Sequence, residues 1–137
     1  MCQLAANSPV PSWAQEGGFF CVTRSADELS MVCEDHRVPE GVRVERGWVA
    51  LKLEGAFPFS MTGVLASFLQ PLAERKIPIF AISTFDTDYV LIKREDLERS
   101  KKSLAAAGHH ERLVPSMGKI SEPRVPIHRV FCDEREP

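Results

Sequence analysis

A stripe of apolar residues in the middle of the chain predicts an amphipathic helix. The residues recur at spacings of one, three and four, which is typical of one helix face lying on a sheet: Val64, Leu65, Phe68, Leu69 and Leu72. We expect Ser60 or Thr62 to cap this helix, because a side-chain oxygen can accept hydrogen bonds from the first-turn amides. Pro71 has no N–H, so it leaves the carbonyl of Ser67 unpaired and should kink the last turns.

The segments around this helix complete a mixed pattern of strands and helices. Residues 48–54 precede it as an apolar strand, and residues 77–83 and 88–93 follow it as two strands around a turn at 84–87. A second helix is expected over about 94–107, ending at Gly108. Its predicted inward residues are Leu97 and Leu104, and Glu98 is expected to pair with Lys102. The order strand–helix–strand–strand–helix indicates an α+β fold.

The rest of the chain has weaker signals. Residues 1–18 contain Pro, Ser and a Gly17-Gly18 break, so we expect a loose arm attached through Trp13. Residues 19–47 form a short unit with strands at 19–23 and 29–33 and a brief edge strand at Val42 and Val44. Residues 48–108 form the fuller unit. Residues 109–137 are interpreted as a tail whose docking residues are expected to be Val125, Ile127, Val130 and Phe131.

Composition narrows the class of protein. The 137 residues suffice for one compact domain or two very small packed units. With 17 basic and 19 acidic residues, the chain has no excess of positive charge that would attract nucleic acid. No apolar run reaches the roughly 18 residues of a membrane span, and no signal-peptide pattern is present at the start. We therefore expect a soluble cytoplasmic protein that binds neither nucleic acid nor membrane.

The four cysteines predict no disulfide framework and no metal site. Cys2, Cys21, Cys33 and Cys132 form no Cys-x-x-Cys unit, and Cys21 and Cys33 lie in apolar runs. Cys33 and His36 could form half of a metal site. The other half would have to come from His109, His110, His128 or Cys132, whose spacing is unlike that of zinc ligands. We expect inert thiols and no cofactor, and nothing singles out a catalytic Cys–His pair.

Two segments could form a ligand-binding or catalytic site. The start of the first helix presents unpaired amides suited to a carboxylate or phosphate, and Gly63 would let a ligand approach the backbone. A well-capped helix packed on a neighbour explains the same residues, and the glycine spacing is not that of a phosphate loop.

The second segment is 83–89, where Asp86 or Asp88 could bind a ligand ammonium or guanidinium. An ordinary hairpin bend is the structural alternative. Two carboxylates could also chelate Mg²⁺, although such sites usually have more oxygen ligands.

Three strings in the chain carry a family resemblance: Trp-Val-Ala-Leu-Lys-Leu-Glu-Gly at 48–55, Phe-Ser-Met-Thr-Gly-Val-Leu-Ala at 59–66, and Ile-Phe-Ala-Ile-Ser-Thr-Phe-Asp-Thr-Asp-Tyr-Val-Leu at 79–91. They resemble the ACT-domain family. The resemblance covers about 19–108. It is strongest to small bacterial tandem ACT proteins of the CASTOR-like branch, which are related to the regulatory ACT domains of aspartate kinase.

The resemblance implies a ferredoxin-like fold in tandem ACT-like units, with residues 19–47 as the short one. It also implies binding of a free amino acid, usually between two such domains. By that resemblance the backbone cradle for the ligand is formed by Ser60, Met61, Thr62, Gly63 and Val64. The far wall of the site is formed by Thr84, Phe85 and Asp88.

The resemblance therefore favours a non-enzymatic, amino-acid-binding sensor or regulatory subunit. Because edge strands must be covered or paired, and a complete pocket could need a second copy, we expect a homodimer. One alternative is a structural ACT dimerisation module without ligand. A weaker alternative is a magnesium-dependent enzyme that uses Asp86 and Asp88.

Overall fold

The computed structural model describes residues 1–53 and 63–110 in full and the backbone of residues 54, 111 and 127–132. The described chain divides into two compact units, one over Met1–Trp48 and the other beginning at Val49.

The first unit is a four-stranded antiparallel sheet. Its strands are β1 (Cys2–Ala5), β2 (Cys21–Arg24), β3 (Glu28–Val32) and β4 (Arg43–Val44). They lie in the order β2-β3-β1-β4, with Cys2 opposite both Met31 and Val44. One face of this sheet packs into a small core whose buried members are Cys2, Ala14, Leu29, Met31, Cys33 and Val38.

The expectation of a loose arm over residues 1–18 was wrong. Cys2–Ala5 lies inside the sheet, between β3 and β4, and Ser12–Gln15 forms a short 3-10 helix with Ala14 buried. Trp13 packs against the core, as expected. The strand predicted at 19–23 begins at Cys21 and is a partly exposed edge strand.

The second unit has a five-stranded sheet and two helices. Its elements are β5 (Trp48–Glu54), α1 (Val64–Glu74), β6 (Ile79–Ser83), β7 (Asp88–Lys93), α2 (Leu97–Ala106), β8 (His109–Glu111) and β9 (Ile127–Cys132). The strand order is β6-β7-β5-β9-β8. The predicted α+β, ferredoxin-like class is confirmed.

The predicted apolar stripe of α1 forms the core of this unit. Phe68 and Leu72 are fully buried, and Val64, Leu65 and Leu69 pack beside them. The core is completed by residues of the sheet, α2 and the segment after α1: Leu51, Leu53, Ile77, Val90, Ile92 and Leu104. The second helix begins at Leu97, after a short 3-10 turn over Arg94–Asp96. Glu98 pairs with Lys101, at 3.8 Å, and not with the predicted Lys102.

The segment predicted as a docked tail contributes two strands to the sheet. Its predicted docking residues Ile127, Val130 and Phe131 lie in β9. Strand β9 pairs in parallel with β5, with Ala50 opposite Ile127 and Glu54 opposite Phe131. Strand β8 pairs antiparallel with β9 on its other side. The predicted docking residue Val125 lies outside the described residues. None of the helices in the described chain is long and apolar enough to cross a membrane.

Candidate functional site

The first part of the candidate site is the N-terminus of α1. Gly63 occupies the N-cap position with a φ of 80°, a conformation that glycine adopts without strain. The first helical hydrogen bond runs from the Ser67 amide to the Gly63 carbonyl, at 2.8 Å. Helix geometry therefore leaves the amides from Val64 onward in the first turn without an intrahelical acceptor.

This start differs from the predicted one. Gly63, and neither Ser60 nor Thr62, holds the N-cap position. Ser60, Met61 and Thr62 lie outside the described residues. Of the predicted cradle, the structure therefore describes only Gly63 and Val64.

The second part of the site is the β6–β7 hairpin. The Thr84 amide donates to the Thr87 carbonyl, at 2.7 Å. The Thr84 hydroxyl accepts from the Thr87 amide, at 3.2 Å, so a threonine side chain closes the turn. Asp86 is exposed, and the Thr84 hydroxyl also donates to the Thr87 carbonyl, at 3.0 Å. Phe85, at the tip, is 79% exposed.

Asp88 begins β7, as predicted, and its direction is set by the sheet. Its carboxylate accepts a hydrogen bond from the Ser83 hydroxyl, the residue directly opposite in the β6–β7 pair. The side chain remains partly exposed. A carboxylate has about four acceptor positions, so this one bond leaves room for a ligand cation.

The hairpin and α1 lie at the same end of the sheet. The Thr87 hydroxyl donates to the Leu53 carbonyl, so the hairpin turn is fixed beside the end of β5. Phe131 pairs with the last residue of β5, and Cys132 pairs with His109. We call this end of the second unit's sheet the upper edge; it comprises the end of β5, the end of β9 and the turn 84–87.

His109 brings the start of α1 to the upper edge. Its Nε2 atom lies 3.1 Å from the Ser67 carbonyl oxygen, one turn into the helix. Its ring is 7% exposed and packs edge-to-face on Phe68, with centroids 5.3 Å apart. From the sequence, His109 was a candidate only as a metal ligand, and its contact with Ser67 was not predicted. Pro71 was the available signal, because it predicts that the Ser67 carbonyl needs another donor.

Of the four cysteines predicted to be inert, Cys2 and Cys33 are buried thiols of the first unit and Cys21 is partly exposed. Burial raises the pKa of Cys2 and raises the pKa of Cys33 to about 11. His36 lies 3.6 Å from the Glu34 carboxylate. Among the side chains of residues 1–53 and 63–110, no three from His, Cys, Asp or Glu are arranged to hold a metal ion.

Two protein-family models match this chain. A family model described as an ACT domain matches residues 43–106, and a model of an N-terminal domain matches residues 1–41. The chain belongs to the ACT-domain family. ACT domains are regulatory domains associated with small-molecule binding, so membership indicates a regulatory role and is consistent with a protein that is not an enzyme.

Two relatives of this ACT protein illustrate the match. The crystal structure of protein Atu0741 from Agobacterium tumefaciens is 42% identical, with a TM-score of 0.79, over 87% of this chain and 89% of that one. Human CASTOR3P is 27% identical over an alignment 92 residues long, and the match covers 58% of this chain. The ACT protein spans only 56% of the length of CASTOR3P.

Proposed function

We propose that this ACT protein binds a free amino acid at the upper edge and acts as a sensor or regulatory subunit. The observation that carries the proposal is the shared location of two complementary groups. The first-turn amides of α1 have no intrahelical acceptor and lie at the positive end of the helix dipole, and Asp88 has a partly exposed carboxylate. A free amino acid carries a carboxylate that suits the amides and an ammonium that suits Asp88.

The chemistry assigns a role to each part of the site. The α-carboxylate of the ligand would accept hydrogen bonds from the first-turn amides beyond Gly63. Asp88 would accept from a cationic group, either the α-ammonium or a basic side chain. Phe85 and Thr84 would line the far wall. A ligand could approach the backbone of Gly63, since an added Cβ there would meet no described atom within 4 Å. Ser60, Met61 and Thr62 remain part of the proposed cradle.

A structural dimerisation module is the second candidate. It is favoured by the Ser83–Asp88 bond, because that bond satisfies part of the carboxylate without a ligand. Both candidates include a homodimer. Strand β6 is an edge strand without a charged residue, and such edges are commonly paired with a second chain. Light scattering at tens of micromolar should give twice the chain mass, and a monomer would count against the dimer.

A thermal-shift panel of the twenty standard L-amino acids tests binding directly. A ligand present at 100 times its dissociation constant should stabilise the folded state by about 2.7 kcal/mol. Mg²⁺ alone belongs in the same panel. Stabilisation by Mg²⁺ and by no amino acid would favour the enzyme that uses Asp86 and Asp88, and stabilisation by nothing would favour the structural module.

Asp88→Asn identifies the site. The change keeps the side-chain volume and removes the charge, so affinity for the amino acid found in the panel should fall by about 1.5–3 kcal/mol, or roughly tenfold to a hundredfold. Asp86→Asn is the matched control, because Asp86 is exposed in the same hairpin. It should leave affinity unchanged in calorimetry. If Asp88→Asn binds like the parent, the assignment of Asp88 to the site is wrong.

A further inference from the structure

We infer that His109 is a positioning residue: its hydrogen bond to the Ser67 carbonyl holds the first turns of α1 in the orientation that presents their amides at the upper edge. The hydrogen bond itself is independent of any ligand. The consequence for ligand affinity rests on the proposed function.

Pro71 creates the need for this contact. In a regular helix the amide of residue 71 would donate to the carbonyl of Ser67, but proline has no N–H. The proline ring also crowds that carbonyl and turns it away from the helix axis. The first turns of α1 are therefore joined to the rest of the helix by one hydrogen bond fewer, at the point that separates the Gly63 end from the core residue Leu72.

His109 supplies the missing donor from outside the helix. Its Nε2 atom lies 3.1 Å from the Ser67 oxygen. Because a carbonyl oxygen can only accept, the ring must carry a proton on Nε2. The ring is buried against Phe68, the next residue of the helix, which fixes its direction.

The surroundings of the other ring nitrogen, Nδ1, indicate that position 109 is a histidine because its Nε2 atom is a hydrogen-bond donor. The Nδ1 atom is buried and has no hydrogen-bond partner among the described residues. An unpaired buried nitrogen is unfavourable, and a phenylalanine would fill a similar volume without that penalty. The advantage of histidine over phenylalanine is the hydrogen bond from Nε2 to the Ser67 carbonyl.

The bond joins the helix start to the strand beside it. Ser67 donates its amide to Gly63 and receives His109 at its carbonyl, so a single residue connects the N-cap to β8. His109 pairs with Cys132 at the end of β9, which lies next to β5. These contacts fix the direction of the first-turn amides relative to the upper edge of the sheet.

Amide hydrogen exchange of the full chain, measured by NMR without ligand, tests the positioning. His109→Phe keeps the packing on Phe68 and removes the donor. Exchange of the Ser67 and Phe68 amides should accelerate about threefold to tenfold, the equivalent of one lost hydrogen bond. The amide of Leu104, in α2, serves as the internal control and should be unchanged.

Pro71→Ala gives a rescue that a merely structural role would not produce. Alanine restores the amide that donates to Ser67, so His109→Phe in the Pro71→Ala background should leave exchange at Ser67 and Phe68 near the parent rate. His109→Gln, which keeps a side-chain N–H, should lie between the parent and His109→Phe. Unchanged exchange in His109→Phe, or acceleration that Pro71→Ala does not reverse, would overturn the inference.

Calorimetry with the best amino acid of the panel separates this inference from the proposed function. His109→Phe should weaken binding about threefold to tenfold, and Pro71→Ala should restore it. If no amino acid binds the parent, the proposed function fails, and the exchange measurement still decides the role of His109.

Discussion

The carboxylate of Glu34 lies against the α-carbon of Gly17, so closely that a Cβ at Gly17 would come within 2.6 Å of Oε1. Glu34 is buried and accepts hydrogen bonds from the Gly18 amide, at 3.4 Å, and from Arg37 Nε, at 2.9 Å. Gly17 also has a φ of 99°. The Gly-Gly pair that suggested a flexible break is thus a turn held by a buried, ion-paired carboxylate.

Gly17→Ala should therefore destabilise the protein strongly. The left-handed backbone costs a non-glycine residue about 1–2 kcal/mol, and the clash with Glu34 adds about 1–3 kcal/mol. Gly41→Ala is the matched control, because Gly41 has a φ of 84° and no described atom near its Cβ position. Urea unfolding should show the larger loss for Gly17→Ala. Equal losses would mean that Glu34 moves aside without penalty.

Lys76→Gly should stabilise the protein. Lys76 follows Arg75, the C-cap residue of α1, and has a φ of 53°. It is the one non-glycine residue with positive φ in the described chain. Relief of that strain exceeds the entropy cost of glycine, so we expect a gain of about 0.5–1 kcal/mol in the free energy of unfolding. Arg75→Gly, one residue earlier at a φ of −91°, should instead destabilise. A loss for both variants would contradict the prediction.

The sequence predicted the elements whose patterns are local. The strands Trp48–Glu54 and Asp88–Lys93 and the apolar face of α1 are where the patterns indicated. Strands β1 and β9 were missed, because four to six residues without strong alternation become strands only by pairing with distant segments. Local pattern says nothing about such partners.

The candidate site also combines residues that local sequence patterns indicate with a residue that only the fold reveals. Gly63 and Asp88 could be read from their neighbours along the chain, since each begins or precedes a regular element. His109 could not, because its role depends on Ser67, 42 residues away. The sequence revealed the unpaired carbonyl of Ser67, and only the fold revealed its donor.

Ser100→Ala should stabilise the second unit. The Ser100 hydroxyl is fully buried in α2 and has no partner among the described residues. Removing it relieves an unpaired polar group and raises helix propensity, for a gain of about 1–2 kcal/mol. Ser103→Ala is the control in the same helix. It gains the same propensity but loses the hydrogen bond from its hydroxyl to the Arg99 carbonyl, so its effect in thermal unfolding should be smaller. A larger gain for Ser103→Ala would contradict the assignment.

Alkylation of the cysteines should depend on pH in a way that separates buried from accessible thiols. Burial raises the pKa of Cys33 to about 11, and the thiolate is the nucleophile. At pH 8 a thiol of that pKa is ionised to only about one part in a thousand.

Iodoacetamide at pH 8 should therefore modify the partly exposed Cys21 well before Cys2 and Cys33, as read by peptide mass spectrometry.

The raised pKa of Cys33 also makes the free energy of unfolding depend on pH. Because the folded pKa of Cys33 exceeds the unfolded one, the unfolded chain loses its proton first, and the free energy of unfolding should fall as pH rises from about 9 towards 11. Cys33→Ala should weaken that pH dependence. Modification of Cys33 as fast as Cys21 at pH 8 in the folded protein would show that the thiol is neither buried nor held protonated.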